Sequence, residues 1–156
     1  MSRPGERRPG QRRSPRLQLE VVDRGRPRTD PAFVRRVVRT TLQFARRPEL
    51  PVSLLITDDA EIAALHARFL GDATPTDVIS FLLDDVAELV VSRETARRSA
   101  RTHGHTIRAE LALYIVHGIL HLTGFDDVRA RDRVRMRAAE NEVMHRLRLR
   151  VRPVDA

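Results

Sequence analysis

The chain has 156 residues, 41% hydrophobic and 32% charged, with a formal net charge of +8. That is enough apolar material for one core and leaves little room for a second domain. Without cysteine, disulfide scaffolds, thiolate metal sites and cysteine nucleophiles are excluded. No apolar run approaches the roughly 18 residues of a membrane helix, and no apolar stretch follows the charged N-terminus as in a secretory signal. A soluble cytoplasmic protein with no membrane partner is expected.

Residues 1–16 combine six arginines with Pro, Gly and Ser and are expected to form a disordered tail, leaving one domain over residues 17–152. Residues 17–22 alternate, with Leu17, Leu19 and Val21 on one side, and read as a strand. Residues 23–28 contain Gly25 and Pro27 and read as a loop. Asp30-Pro31 is an N-cap with proline at the first helical position, opening a helix to about Arg46 that Pro48 ends. Residues 52–57 form a second strand. Asp58 and Glu61 resemble a capping box; Ile62, Leu65 and Phe69 share a face of the helix that follows, and Gly71 stops it. After a loop over 72–77, residues 78–83 and 86–92 are two further strands. Ser92 caps a helix to about His103, with Gly104 as its C-terminal signal. Residues 107–123 are apolar nearly all round and predict a buried central helix. Residues 128–149 predict a long basic helix with Val134, Ala138, Val143 and Leu147 facing inward. The order β-α-β-α-β-β-α-α-α implies an α+β domain, a small mixed four-stranded sheet packed with about five helices.

All 29 basic residues are arginine, a planar, always-charged donor fork suited to phosphate. Nine of them lie between Arg129 and Arg152, whereas residues 58–88 hold eight acids and only Arg68. This asymmetry suggests a polyanionic partner such as nucleic acid. With one tyrosine, five phenylalanines and no tryptophan, stacking of bases on aromatic rings is not the main binding mode.

Residues 117–127 carry the chemistry. His117 and His121 are four apart on the predicted central helix, so both rings project from one face. Gly124 permits a positive-φ turn, after which the chain can fold back and bring Asp127 to the same point. Two histidines and a carboxylate with an open fourth position make a catalytic zinc arrangement; the same donors also suit non-haem iron. Such an ion lowers the pKa of its bound water. Asp126 is a candidate proton acceptor, or else a turn residue. The spacing parallels the zinc-protease helix H-E-x-x-H, but Gly118 stands where that motif has its glutamate base, which disfavours peptide hydrolysis. His103 and His105 read as loop residues, and His66 and His145 as surface helix positions.

The run His117-Gly118-x-Leu120-His121-Leu122-x-Gly124-Phe125-Asp126-Asp127 resembles the signature of the YbeY family of bacterial metal-dependent endoribonucleases, or rRNA maturation factors. Residues 65–71 and 75–81 are similar to that family's loop-and-strand motif, residues 88–92 to its next strand; Glu110 sits where the family carries a glutamate before the metal helix, and Met136 and Glu140 fit its final helix. The resemblance spans about residues 17–149. It implies a compact α+β fold with one zinc ion per subunit, cleavage of single-stranded RNA, maturation of the 16S ribosomal RNA 3′ end, and a part in quality control of ribosomal particles, without a nucleotide cofactor. His117 and His121 carry over as ligands. The family usually has a third histidine where this chain has Asp127, and an arginine where it has Leu70; Arg68 is the nearest candidate for that RNA contact. A non-catalytic assembly factor with a structural metal is the alternative, followed by a zincin-like protease.

Overall fold

The structure, a computed structural model, describes residues 15–71 and 76–152; nearly all of the predicted N-terminal tail lies outside the described residues. The elements follow the predicted order: β1 (Leu19–Asp23), α1 (Pro31–Phe44), β2 (Val52–Thr57), α2 (Asp59–Leu70), β3 (Val78–Leu83), β4 (Val86–Ser92), α3 (Arg93–His103), α4 (Ile107–Leu122) and α5 (Ala130–Arg146). The sheet order is β1-β2-β4-β3. β1, β2 and β4 are parallel neighbours, and β3 returns antiparallel along β4. Asp84 and Asp85 join that hairpin, both with positive φ (49° and 61°), as a two-residue turn matched to strand twist requires.

The helix ends are set by the signals in the sequence. Asp30, Asp58, Ser92 and Thr106 each accept a backbone N–H of the first turn, and Gly71 and Gly104 close α2 and α3 in the left-handed region.

Side chains alternate across the two central strands. Val52, Leu54, Ile56, Ala87, Leu89 and Val91 enter the main core beneath α1, α4 and α5. Leu55 and Val90, with Ile79 and Phe81 of β3, face the other way and meet Ile62 and Leu65 of α2. Both faces of β2 and β4 are therefore covered, which is why these strands read as continuous apolar runs. α4 is the spine, packed against α1, α3, α5, β3 and β4. It lies so close to the sheet that a Cβ on Gly118 would sit 2.7 Å from Leu89 Cδ2 and 3.3 Å from Val78 Cγ2. A side chain here would have to displace Leu89, so glycine suits the approach and the glutamate of the protease motif would crowd it. Among the described residues, no helix is long and apolar enough to cross a membrane.

Two details differ from the sequence reading. Val21 is 38% exposed, because β1 is an edge strand and only Leu17 and Leu19 reach the core. On α5, Val134 is 67% exposed and Ala138 is also exposed; the inner face is Met136, Ala139, Val143 and Leu147. Counting back from Val143, the positions four and seven residues earlier stay in phase with a 3.6-residue turn, whereas Val134, nine earlier, lies on the opposite side.

Candidate metal centre

The last turns of α4 present His117 and His121 as stacked rings, centroids 6.5 Å apart and planes 7° from parallel. The helix then stops abruptly. The Thr123 hydroxyl donates to the Ile119 carbonyl at 2.8 Å, Gly124 takes φ 114°, and the Phe125 N–H returns to the Leu120 carbonyl at 3.0 Å. Phe125 packs on the main core, its ring 6.2 Å from that of Phe44, which pins the reversed chain. Asp126 Oδ1 accepts the N–H groups of Asp127 (2.7 Å) and Val128 (3.3 Å), an Asx turn. This is the turn role weighed for Asp126.

The turn brings Asp127 near His117 on one side, and Asp126 and Asp127 near His121 on the other. Asp127 Oδ2 lies 3.7 Å from His117 Nε2, and ligand atoms of His121, Asp126 and Asp127 lie within 4.8 Å of one another. The His117 and Asp127 side chains are 31% and 44% exposed, so the pair is open to solvent on one side.

Behind the site, His117 Nδ1 is 2.6 Å from Glu140 Oε1. Glu140 is only 15% exposed at its side chain. Its hydrogen bond raises the His117 pKa above the ordinary value; burial opposes this, while the charges of Glu140, Asp77 and Asp127 add to it. In the neutral ring, the Nδ1–H donates to Glu140 and leaves the Nε2 lone pair facing Asp127. This tautomer, assigned from its partners, is the one a metal-binding imidazole uses when a carboxylate orients it. Glu140 had no role in the sequence reading beyond its place in the last helix. Its partner is 23 residues away, and no local spacing pairs them.

A second group, His103, His105 and Glu110, also brings ligand atoms within 4.8 Å. Its hydrogen bonding differs. His105 Nδ1 is 2.6 Å from Glu110 Oε1, and His105 Nε2 accepts the Arg152 N–H at 2.6 Å. Both ring nitrogens are engaged, and a metal on Nδ1 would put a proton on Nε2 against that N–H donor. By contrast, the Nε2 of His117 makes no hydrogen bond among the described residues.

Arg68 lies near the end of α2, which packs on the sheet face opposite α4. Its guanidinium is 5.6 Å from the Phe69 ring centroid, and it has no hydrogen bond or ion pair to the candidate ligands among the described residues. Leu70 is 64% exposed.

A profile of the endoribonuclease YbeY family matches residues 26–148. The endoribonuclease YbeY of Pelotomaculum thermopropionicum is 37% identical over 113 residues, covering 65% of this chain and 74% of its own length. That of a Roseiflexus species is 33% identical over 149 residues, covering 85% and 93%. The solution structure of a Thermotoga maritima protein shares the fold, with a TM-score of 0.60 at 23% identity over 84% of this chain and 92% of that one.

Proposed function

The chain belongs to the endoribonuclease YbeY family, and from that premise we propose that it cleaves single-stranded RNA at a centre formed by His117, His121 and Asp127 around one divalent transition-metal ion, zinc as first choice. The 3′ end of 16S ribosomal RNA, within ribosomal particles in the cytoplasm, is the substrate proposed by family membership. The observation that carries the site is the return of Asp127 to within 3.7 Å of His117 Nε2.

When bound, the ion would polarise a phosphate oxygen and acidify a water. The protein groups have separable tasks. Glu140 holds the Nδ1 proton of His117, so that Nε2 presents its lone pair. His121 stacks one turn along and presents a second imidazole. Asp127 supplies a carboxylate where the family usually has a third neutral ring, and its charge makes the centre less acidifying. Asp126 spends Oδ1 on the turn, which leaves Oδ2 to take up a proton. Arg68 is the proposed RNA-contacting cation of the α2 segment. The tight packing at Gly118, where the protease motif carries its glutamate base, weighs against the protease reading.

The test is cleavage of a single-stranded RNA by wild type and His121→Ala, with and without chelator, alongside elemental analysis. Wild type should cleave and lose activity with chelator. His121→Ala should lose more than the roughly 10- to 100-fold caused by removing an outer-shell partner. Undiminished cleavage by His121→Ala would remove the metal centre from the reaction. Metal and RNA binding without cleavage in wild type would point to the non-catalytic assembly factor.

A further inference from the structure

Next to the candidate metal centre, α3, α4 and α5 enclose a cavity of about 450 Å³, within the range of small-ligand sites. α4 lines it with Glu110, Leu113 and Tyr114, and α5 with Arg137, Glu140 and Asn141. Each triplet is spaced i, i+3, i+4, so one face of each helix looks inward. Glu140 belongs to both places: it lines the cavity and holds His117 at 2.6 Å. The cavity therefore lies behind His117, on the Nδ1 side of its ring, with Glu140 as the shared wall.

The polar groups divide into committed and free. The three carboxylates are committed: Glu110 to His105, Glu140 to His117, and Asp77 to the Val78 N–H at 2.9 Å. The pKa of the Tyr114 hydroxyl is pushed up to about 12, burial being the main cause, with Glu110 and Asp77 adding to it and Ser99 opposing it. By contrast, the guanidiniums of Arg137 and Arg152 and the carboxamide of Asn141 line the same space with no hydrogen bond or ion pair among the described residues. The groups left free are therefore two guanidiniums and one amide, beside three carboxylates held by other partners, and it is these free groups that a polar ligand with a phosphate would engage. Guanidinium forks match phosphate oxygens. A carboxamide offers one acceptor and two donors, the complement of a base edge splayed from a single strand.

We propose that this cavity holds one nucleotide of the RNA substrate behind the metal centre, its phosphate on Arg137 and its base edge at Asn141. The proposal rests on the RNA-cleaving reading for its orientation. It places on α5 the phosphate contact that Leu70 does not provide.

The test titrates adenosine 5′-monophosphate into the full chain while following the Arg137 Nε–H and Asn141 side-chain amide signals. RNA kinetics are then compared for wild type, Arg137→Ala, Arg137→Lys and Asn141→Ala. Arg137 and Asn141 are exposed, so unchanged melting should accompany these changes. The nucleotide should shift both signals, and Arg137→Ala should weaken its binding and raise KM by roughly tenfold, the loss of a charged hydrogen bond, with kcat nearly kept. Arg137→Lys, which keeps charge but loses the fork, should fall between. Unmoved signals, or a KM within about twofold of wild type, would overturn the proposal. Inorganic phosphate shifting both signals as strongly as the nucleotide would overturn its base-reading half. RNA cleavage with unmoved signals sinks the cavity alone. Nucleotide binding without any cleavage sinks the nuclease reading and upholds the cavity as a nucleotide site.

Discussion

His117 can offer Nε2 to a metal only while its Nδ1 keeps a proton, and Glu140 is the group placed to hold it. Replacing Glu140 with alanine should lower metal affinity about 10- to 100-fold, as loss of an orienting carboxylate does, measured by chelator competition. Glutamine, whose carbonyl still accepts the Nδ1–H, should fall between. In the metal-free protein, Glu140→Ala should also return the His117 titration toward the ordinary histidine value, because the hydrogen bond to Glu140 is the largest cause of its rise; nuclear magnetic resonance titration reads this directly. A raised folded-state pKa means that the pair stabilises the fold at low pH and loses that contribution as pH climbs through it. The approach of Asp127 to His117 and His121 was legible in the chain because helix periodicity and one glycine turn connect them locally. Glu140 was not, because only packing of α5 on α4 brings it there.

At the scale of elements, Asp59 ties the start of α2 to the start of α3. Its carboxylate accepts from Ser92, Thr95 and Arg98, the last at 2.6 Å. Burial alone would raise its pKa, but these three hydrogen bonds and the charge of Arg98 outweigh burial and lower it. Asp59→Asn should cost about 1.5–3 kcal/mol, the range for hydrogen bonds to a charged group, in chemical denaturation at neutral pH. A depressed folded-state pKa contributes stability above the unfolded value, and that stability fades as pH falls through the folded one. The wild-type and variant stabilities should therefore converge in acid, below 3.8; a constant gap would reject the assignment. The caps of α2 and α3 were readable in advance from Asp58, Ser92, Gly71 and Gly104. The link between the two helices was not. The inner face of α5 also escaped, since its few apolar residues allow more than one stripe, and contact with α4 selects Met136, Ala139 and Val143.

For the whole molecule, the dominant long-range property is a net charge of +8 carried entirely by arginine. Six of these arginines fall in residues 1–16. If they neutralise RNA phosphates, deleting residues 1–16 should reduce the salt dependence of RNA binding, by up to about 4 in the log–log slope for a single strand; an unchanged slope would rule that role out. The molecule divides along the same line as its parts. Element order, the helix caps, the α+β class and the two-histidine turn all follow from neighbours in the chain, because periodicity, capping and turn chemistry act over a few residues. The sheet order, the glycine-thin contact of α4 on the sheet, the Glu140 support of His117 and the cavity beside it arise between segments far apart in sequence. Side-chain volume and burial select those pairings, and such forces take effect only once the chain has closed on itself.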